Sequence, residues 1–324
     1  VRVVEEYGCG STASRLMAGQ LPVHAELETA LARLVRQESV LAFPSGYQMN
    51  VGVVSTLFDE TWTVFSDALN HASLIDGCRL SAARVEVYPH GDVEALRARL
   101  SACDGPKAIV TESVFSMDGD AAPLERIAEL AAEFGAFLVV DEAHAIGVHG
   151  NGGGLCVALG ILPDVTLGTL GKSLGSAGGF AGTSSLVREY LINAARGFIF
   201  STGLAPASAG AALEAVRIVS AQPEMGRKLL ERATYFRECL RAEGIDVPMD
   251  DSPIVPVILG ENELTMRAAE ELRRQGIVVH GIRPPTVPEG TSRLRLSVTL
   301  AHSREDLKRV AHAVADVVGA RAAR

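Results

Sequence analysis

The sequence predicts an α/β protein: a large, mostly parallel sheet domain followed by a smaller α+β domain. Three observations predict it. Short β-rich runs alternate with helical stretches through the first two thirds of the chain, which implies right-handed crossovers between parallel strands. The 324 residues are 48% hydrophobic but only 5% aromatic, and a core of small aliphatic side chains suits stacked helices and strands better than a β-sandwich. Beyond residue 218 the character changes to long charged helices that frame short strands. The length accommodates two domains, read as 1–218 and 219–324.

The elements follow in order. Residues 23–38 place Leu27, Ala30, Leu31 and Leu34 on one stripe, the spacing of an amphipathic helix. Val40–Phe43 reads as a strand and Pro44-Ser45-Gly46 as the turn into the next helix. Thr63–Ser66, Val85–Tyr88, Ala108–Thr111, Phe137–Val140 and Val165–Leu167 read as further strands, with helices at Val93–Leu100 and Leu124–Phe134. Gly178–Thr183 reads as one more strand, antiparallel to the rest. In the second domain, helices at 224–243, 262–275 and 303–319 frame strands at 254–259, 277–280 and 293–297.

The net charge of −9 argues against a nucleic-acid partner. No apolar run reaches the ~18 residues of a membrane span, and no stretch resembles a secretory leader, so a cytoplasmic protein is expected. The cysteines Cys9, Cys78, Cys103, Cys156 and Cys239 are scattered and odd in number, which suits free thiols in a reducing compartment.

The chemistry concentrates at predicted strand ends, where open α/β sheets bind their ligands. Asp141 closes the apolar run Phe137-Leu-Val-Val. A carboxylate there needs a partner, and a pyridinium nitrogen is one; an ordinary loop-capping aspartate is the plain alternative. Lys172 lies in Thr-Leu-Gly-Lys-Ser-Leu-Gly-Ser. A lysine losing hydration near other cations has its pKa lowered and becomes competent for imine chemistry, whereas most lysines are simply solvated. Together Asp141, His144 and Lys172 describe a pyridoxal 5'-phosphate (PLP) site. His144 is placed to bond the phenolate oxygen of that cofactor, and His71 is a flat ring that can stack on it. His24, His90, His149, His280, His302 and His312 read as structural or surface histidines.

Gly46 and Tyr47 open a helix whose free amides suit a phosphate, although many α/β turns look alike. Thr169 is a further phosphate donor. Ser116 is a candidate for the phenolate oxygen, with turn capping as its alternative. Arg283 begins the stiff run Arg-Pro-Pro-Thr-Val-Pro, which suits carboxylate binding or a rigid linker.

In order, Gly8-Cys-Gly-Ser-Thr-Ala-Ser-Arg15, Asn70-His-Ala-Ser-Leu74, Thr111-Glu-Ser-Val-Phe-Ser-Met-Asp-Gly119, Asp141-Glu-Ala-His144, Gly168-Thr-Leu-Gly-Lys172 and Phe200-Ser-Thr202 resemble the α-oxoamine synthases, fold-type I PLP-dependent transferases. The likeness spans essentially the whole chain. It implies that Lys172 is the Schiff-base lysine, that Asp141 pairs with the pyridinium nitrogen and that His71 stacks on the ring. It further implies that Gly46, Tyr47, Ser116, His144 and Thr169 bind the cofactor. Thr202 then reaches the phosphate of a neighbouring subunit in a homodimer. Arg283 and Thr286 contact substrate. The stretch from Arg283 to Arg295 implies L-alanine and a pimeloyl thioester as substrates, in biotin synthesis. Acyl transfer to glycine and a non-catalytic subunit of the same fold are the alternatives. Relatives normally carry a further N-terminal segment, with a substrate-binding arginine, ahead of the position of Val1. The loop Gly150–Gly154 lacks an arginine that they usually have.

Overall fold

In the computed structural model, which describes residues 1–322 and side chains through residue 319, the chain divides into two compact units. The first comprises Val1–Val114 and Ala122–Met225; the second comprises Phe115–Ala121 and Gly226 onward.

The first unit is built on seven strands: β1 (Ser39–Phe43), β2 (Thr63–Asp67), β3 (Arg84–Tyr88), β4 (Lys107–Glu112), β5 (Phe137–Asp141), β6 (Val165–Thr169) and β7 (Gly179–Thr183). They lie in the order β1-β7-β6-β5-β4-β2-β3. Strands β2 to β6 pair in parallel, and β7 runs antiparallel to both β1 and β6, as its sequence suggested. The central strands are buried along nearly their whole length, the expected state of a parallel sheet covered on both faces. Leu41, Val64, Val110, Val139, Leu167 and Ala181 from six of these strands share one core with Val53 and Val54 of the helix Gly46–Leu57.

The first amphipathic helix spans Pro22–Leu34, with proline in its first turn and Leu27 and Leu31 buried. It ends short of the predicted residue 38. Arg36 adopts φ +56° and the Gln37 amide bonds back to the Ala32 carbonyl, a left-handed exit that stops the helix. The same helix carries the buried Glu28. That carboxylate receives Arg15 Nη1 at 2.5 Å, Arg188 Nη2 at 3.3 Å and the Ala42 amide at 2.8 Å. Arg15, part of the first sequence motif, therefore has a structural partner.

The second unit holds a three-stranded antiparallel sheet of β8 (Ile254–Gly260), β9 (His280–Ile282) and β10 (Ser292–Ser297), in the order β8-β10-β9. Residues from the helices Glu224–Ala242, Asn262–Arg274 and Arg304–Ala322 pack against this sheet around Phe236, Val255, Leu272, Leu294 and Val314. The strand predicted at 277–280 begins only at His280. The Ile277 amide closes the preceding helix by bonding the Leu272 carbonyl across Gly276, which has φ +75°. Ile277 and Val279 are buried as the sequence implied, but as the tail of a helix cap rather than as paired strand.

Arg237 is the largest wholly buried side chain, 1% exposed. Its guanidinium donates to the carbonyls of Pro248, Ser252 and Ile254 at 3.0, 2.8 and 2.7 Å. Burial pulls its pKa down, and Asp250 and Asp251 oppose that shift. Arg237→Ala strands three buried acceptors and should cost about 3 kcal/mol or more. The check is the urea midpoint of the variant, and a loss under about 1 kcal/mol would mean that water replaces the guanidinium.

Candidate active site

Three adjacent strands end together in the first unit. Glu112 closes β4, Asp141 closes β5 and Thr169 closes β6, with Glu112 opposite Asp141 in register. This edge carries the chemistry-bearing residues because every parallel strand delivers its last side chain on the same side of the sheet.

Asp141 is 4% exposed. Its Oδ1 accepts the Ala143 amide at 2.9 Å and its Oδ2 accepts Asn50 Nδ2 at 2.7 Å. The turn after β5 carries His144, whose Nε2 lies 2.9 Å from Lys172 Nζ. Lys172 follows β6 and is exposed, so its amine is accessible while held against an imidazole.

His71 caps the helix Ala72–Leu80. Its Nδ1 meets Ser73 Oγ at 2.7 Å and accepts the Ser73 amide at 3.2 Å. The residue keeps an open outer face, yet loss of water around the ring pulls its pKa below the ordinary value. Lys172 adds to that shift and Asp141 opposes it. Glu112 is 2% exposed, and its Oε1 has no hydrogen-bond partner. Burial, reinforced by the Asp141 charge, raises its pKa well above the carboxylate range, while the His71 amide and Lys172 oppose the shift.

Gly46 and Tyr47 begin the helix Gly46–Leu57, which Ser45 Oγ caps by accepting the Gln48 amide at 3.1 Å. The opening amides of a helix lack intrahelical acceptors and face an anion favourably. A Cβ on Gly46 would sit 3.2 Å from Thr169 Oγ1, so the absence of a side chain keeps the threonine hydroxyl open beside those amides. Thr169 Oγ1 itself donates to the Gly178 carbonyl at 3.1 Å. Tyr47 is exposed and its hydroxyl donates to the Asp76 carboxylate, which raises the tyrosine pKa. Thr202 is exposed and its backbone bridges to Ser14.

Ser116, Arg283 and Thr286 belong to the second unit. The Ser116 carbonyl accepts Arg295 Nε at 2.6 Å. Arg283 Nη1 lies 3.0 Å from Met266 Sδ, and the Thr286 amide closes a turn on the Arg283 carbonyl at 3.1 Å. His24 and His90 are engaged as structural histidines, on the Leu204 carbonyl and on Asp67 respectively.

Two residues that sequence reasoning passed over stand beside the site. Asn50 and Ser73 are buried polar side chains. Asn50 occupies the buried face of its helix beside Met49, Val53 and Val54, and a lone amide on an apolar stripe is the signal that marks it. Glu142, next to Asp141, is fully buried and accepts Ser113 Oγ, the Leu155 amide and the Cys156 amide at 2.8, 2.8 and 2.6 Å. It pins the start of the helix Leu155–Leu159, which follows the Gly150–Gly154 loop. Gly154 has φ +106°, and a Cβ there would lie 2.8 Å from the Glu142 carboxyl, so this position requires glycine.

These groups fit PLP. A buried carboxylate held by two N–H donors, an accessible amine, open helix amides and a buried carboxyl oxygen without a partner occupy neighbouring strand ends. The family profile described as aminotransferase class I and II matches residues 4–314. The chain is 44% identical over 312 residues to the 8-amino-7-oxononanoate synthase of Lysinibacillus sphaericus, covering 95% of this chain and 80% of that one. The solved structure of serine palmitoyltransferase from S. paucimobilis with a bound PLP–myriocin aldimine superposes with a TM-score of 0.94 at 32% identity, over 98% of this chain and 83% of that one. The 8-amino-7-oxononanoate synthase of Francisella tularensis superposes with a TM-score of 0.84 at 28% identity, over 99% and 92%.

Proposed function

Because the chain belongs to the aminotransferase class I and II family, we propose that Lys172, Asp141, His71 and His144 carry out a PLP-dependent condensation of L-alanine with a pimeloyl thioester. The enzyme is an acyltransferase of the 8-amino-7-oxononanoate synthase type, with PLP as cofactor. Alanine and pimeloyl-CoA, or its acyl-carrier equivalent, give 8-amino-7-oxononanoate, CO2 and the free thiol, a step of biotin synthesis. The observation that carries the assignment is the 2.9 Å approach of Lys172 Nζ to His144 beside the Asp141 strand end.

When bound, PLP would supply an aldehyde for the amino group and a ring able to store the electrons released at Cα. The protein supplies the rest. Lys172 holds the cofactor, then removes the Cα proton of alanine. Asp141 holds a proton at the pyridine nitrogen. His71 would cover the ring and His144 would serve the phenolate oxygen, a role that the family likeness also gives Ser116. Gly46, Tyr47 and Thr169 hold the phosphate, joined by Thr202 of a second copy in a homodimer. Arg283 and Thr286 bind substrate. This assignment rests on the family likeness together with the geometry of the first unit. Among the described residues no helix is long and apolar enough to cross a membrane; a cytoplasmic location remains part of the proposal.

Purified protein supplied with PLP and pimeloyl-CoA should release CoA faster with L-alanine than with glycine. One methyl is worth about 1–3 kcal/mol, or roughly 10- to 200-fold in kcat/KM. A preference for glycine would move the enzyme to the glycine acyltransferases of the same family.

A further inference from the structure

We propose that Asn50 and Ser73 are positioning residues that tie Asp141 and His71 into one hydrogen-bonded unit of fixed polarity. The inference rests on the reading of Asp141 and His71 given above.

The chain of contacts runs from carboxylate to imidazole. Asn50 Nδ2 lies 2.7 Å from Asp141 Oδ2 and 2.9 Å from Ser73 Oγ. Ser73 Oγ lies 2.7 Å from His71 Nδ1. All three linking distances are hydrogen bonds, and the donors can be assigned. The Ser73 amide donates to His71 Nδ1 at 3.2 Å, so Nδ1 is an acceptor. The serine hydroxyl therefore also gives its hydrogen to Nδ1 and receives one from Asn50. Both amide hydrogens of Asn50 are then committed, one to serine and one to aspartate. The reverse amide orientation would aim Asn50 Oδ1 at a carboxylate oxygen. Asn50 Oδ1 is instead left buried without a partner, a cost tolerated only because the two N–H bonds need this orientation.

Two consequences follow. Asp141 accepts at both oxygens, from Asn50 and from Ala143, so it faces the cofactor as a fixed acceptor. His71, with Nδ1 accepting, carries its ring proton on Nε2 and presents a donor on its outer edge. The Ser73 amide thus sets the tautomer of His71, and the Asn50 amide holds both the Ser73 hydroxyl that reinforces it and the Asp141 carboxylate. Asn50 and Ser73 are each 3% exposed or less, so water does not compete for these bonds.

The test compares wild type with Asn50→Leu, which keeps the branched heavy-atom outline and removes both donors, and with Ser73→Ala, which removes only the hydroxyl. Histidine ring nitrogens are read by heteronuclear NMR on 15N-histidine-labelled protein, and PLP affinity by absorbance titration of the apoprotein. In wild type, His71 should show an unprotonated, hydrogen-bonded Nδ1 and a protonated Nε2. The Nδ1 signal should move toward the unbonded position in both variants. The PLP dissociation constant should rise about tenfold or more in Asn50→Leu, the worth of a hydrogen bond to a charged group, and less than about threefold in Ser73→Ala. A wild-type His71 protonated on Nδ1, an unmoved Nδ1 signal in Ser73→Ala, or unaltered PLP affinity in Asn50→Leu overturns the proposal. Should Asn50→Leu fail to fold, the Ser73→Ala signal decides. Borohydride reduction of the wild-type holoprotein checks the underlying reading separately: PLP fixed anywhere but on Lys172 sinks the site assignment, whatever the ring nitrogens show.

Discussion

Lys172→Ala should lower CoA release by at least about ten-thousandfold, the scale on which loss of a covalent catalytic residue falls. On the proposed assignment the residue has two tasks, to hold the cofactor and to move the Cα proton, and no other lysine follows β6 before Lys228. His144, the neighbour at 2.9 Å, cannot form the covalent link. PLP should still bind the variant, through the phosphate donors and Asp141, so its absorbance is retained while borohydride no longer fixes it. The two readouts together separate a chemical loss from a folding loss. Turnover within about a hundredfold of wild type would remove Lys172 from the reaction.

Asp141→Asn should cost on the order of a hundred- to a thousandfold in kcat, as expected when one preorganised electrostatic partner is lost. The substitution keeps the shape and leaves an oxygen for Asn50 or Ala143 to donate to. It removes the negative charge, and with it the reason for a proton to stay on the pyridine nitrogen. Circular dichroism should be unchanged, because the strand around it is held by the Val139, Val140 and Leu167 pairings. A decrease below about tenfold would mean that the ring nitrogen draws its proton from elsewhere.

Much of this was legible in the sequence for a local reason. Strand ends announce themselves as a polar residue after an apolar run, and Asp141 and Thr169 both do so. Glycine-flanked turns such as Gly171-Lys172 stand out in the same way. Boundaries were less legible where a turn decides them. Arg36 ends its helix in a left-handed conformation that its side chain does not advertise, and Gly276 delays β9 until His280. The least legible part was the support beneath the site. Asn50 meets Ser73 across 23 positions and Asp141 across 91, and such pairings exist only once the sheet order is known. Ser73 and Asp141 lay inside stretches that the sequence had marked, but their common partner Asn50 could not be read there.

The place of β1 has a kinetic consequence. Its sheet partner is β7, with Ser39 and Thr183 separated by 144 positions. Closing so long a loop is entropically slow. During synthesis β1 leaves the ribosome early and waits as an unpaired edge, open to wrong partners, until Gly179–Thr183 has been made. Lys172 precedes that closing strand, and Gly46 follows the waiting one. On the proposed assignment, amine and phosphate cradle come together only in that same late event, so the site is not assembled until the sheet is complete.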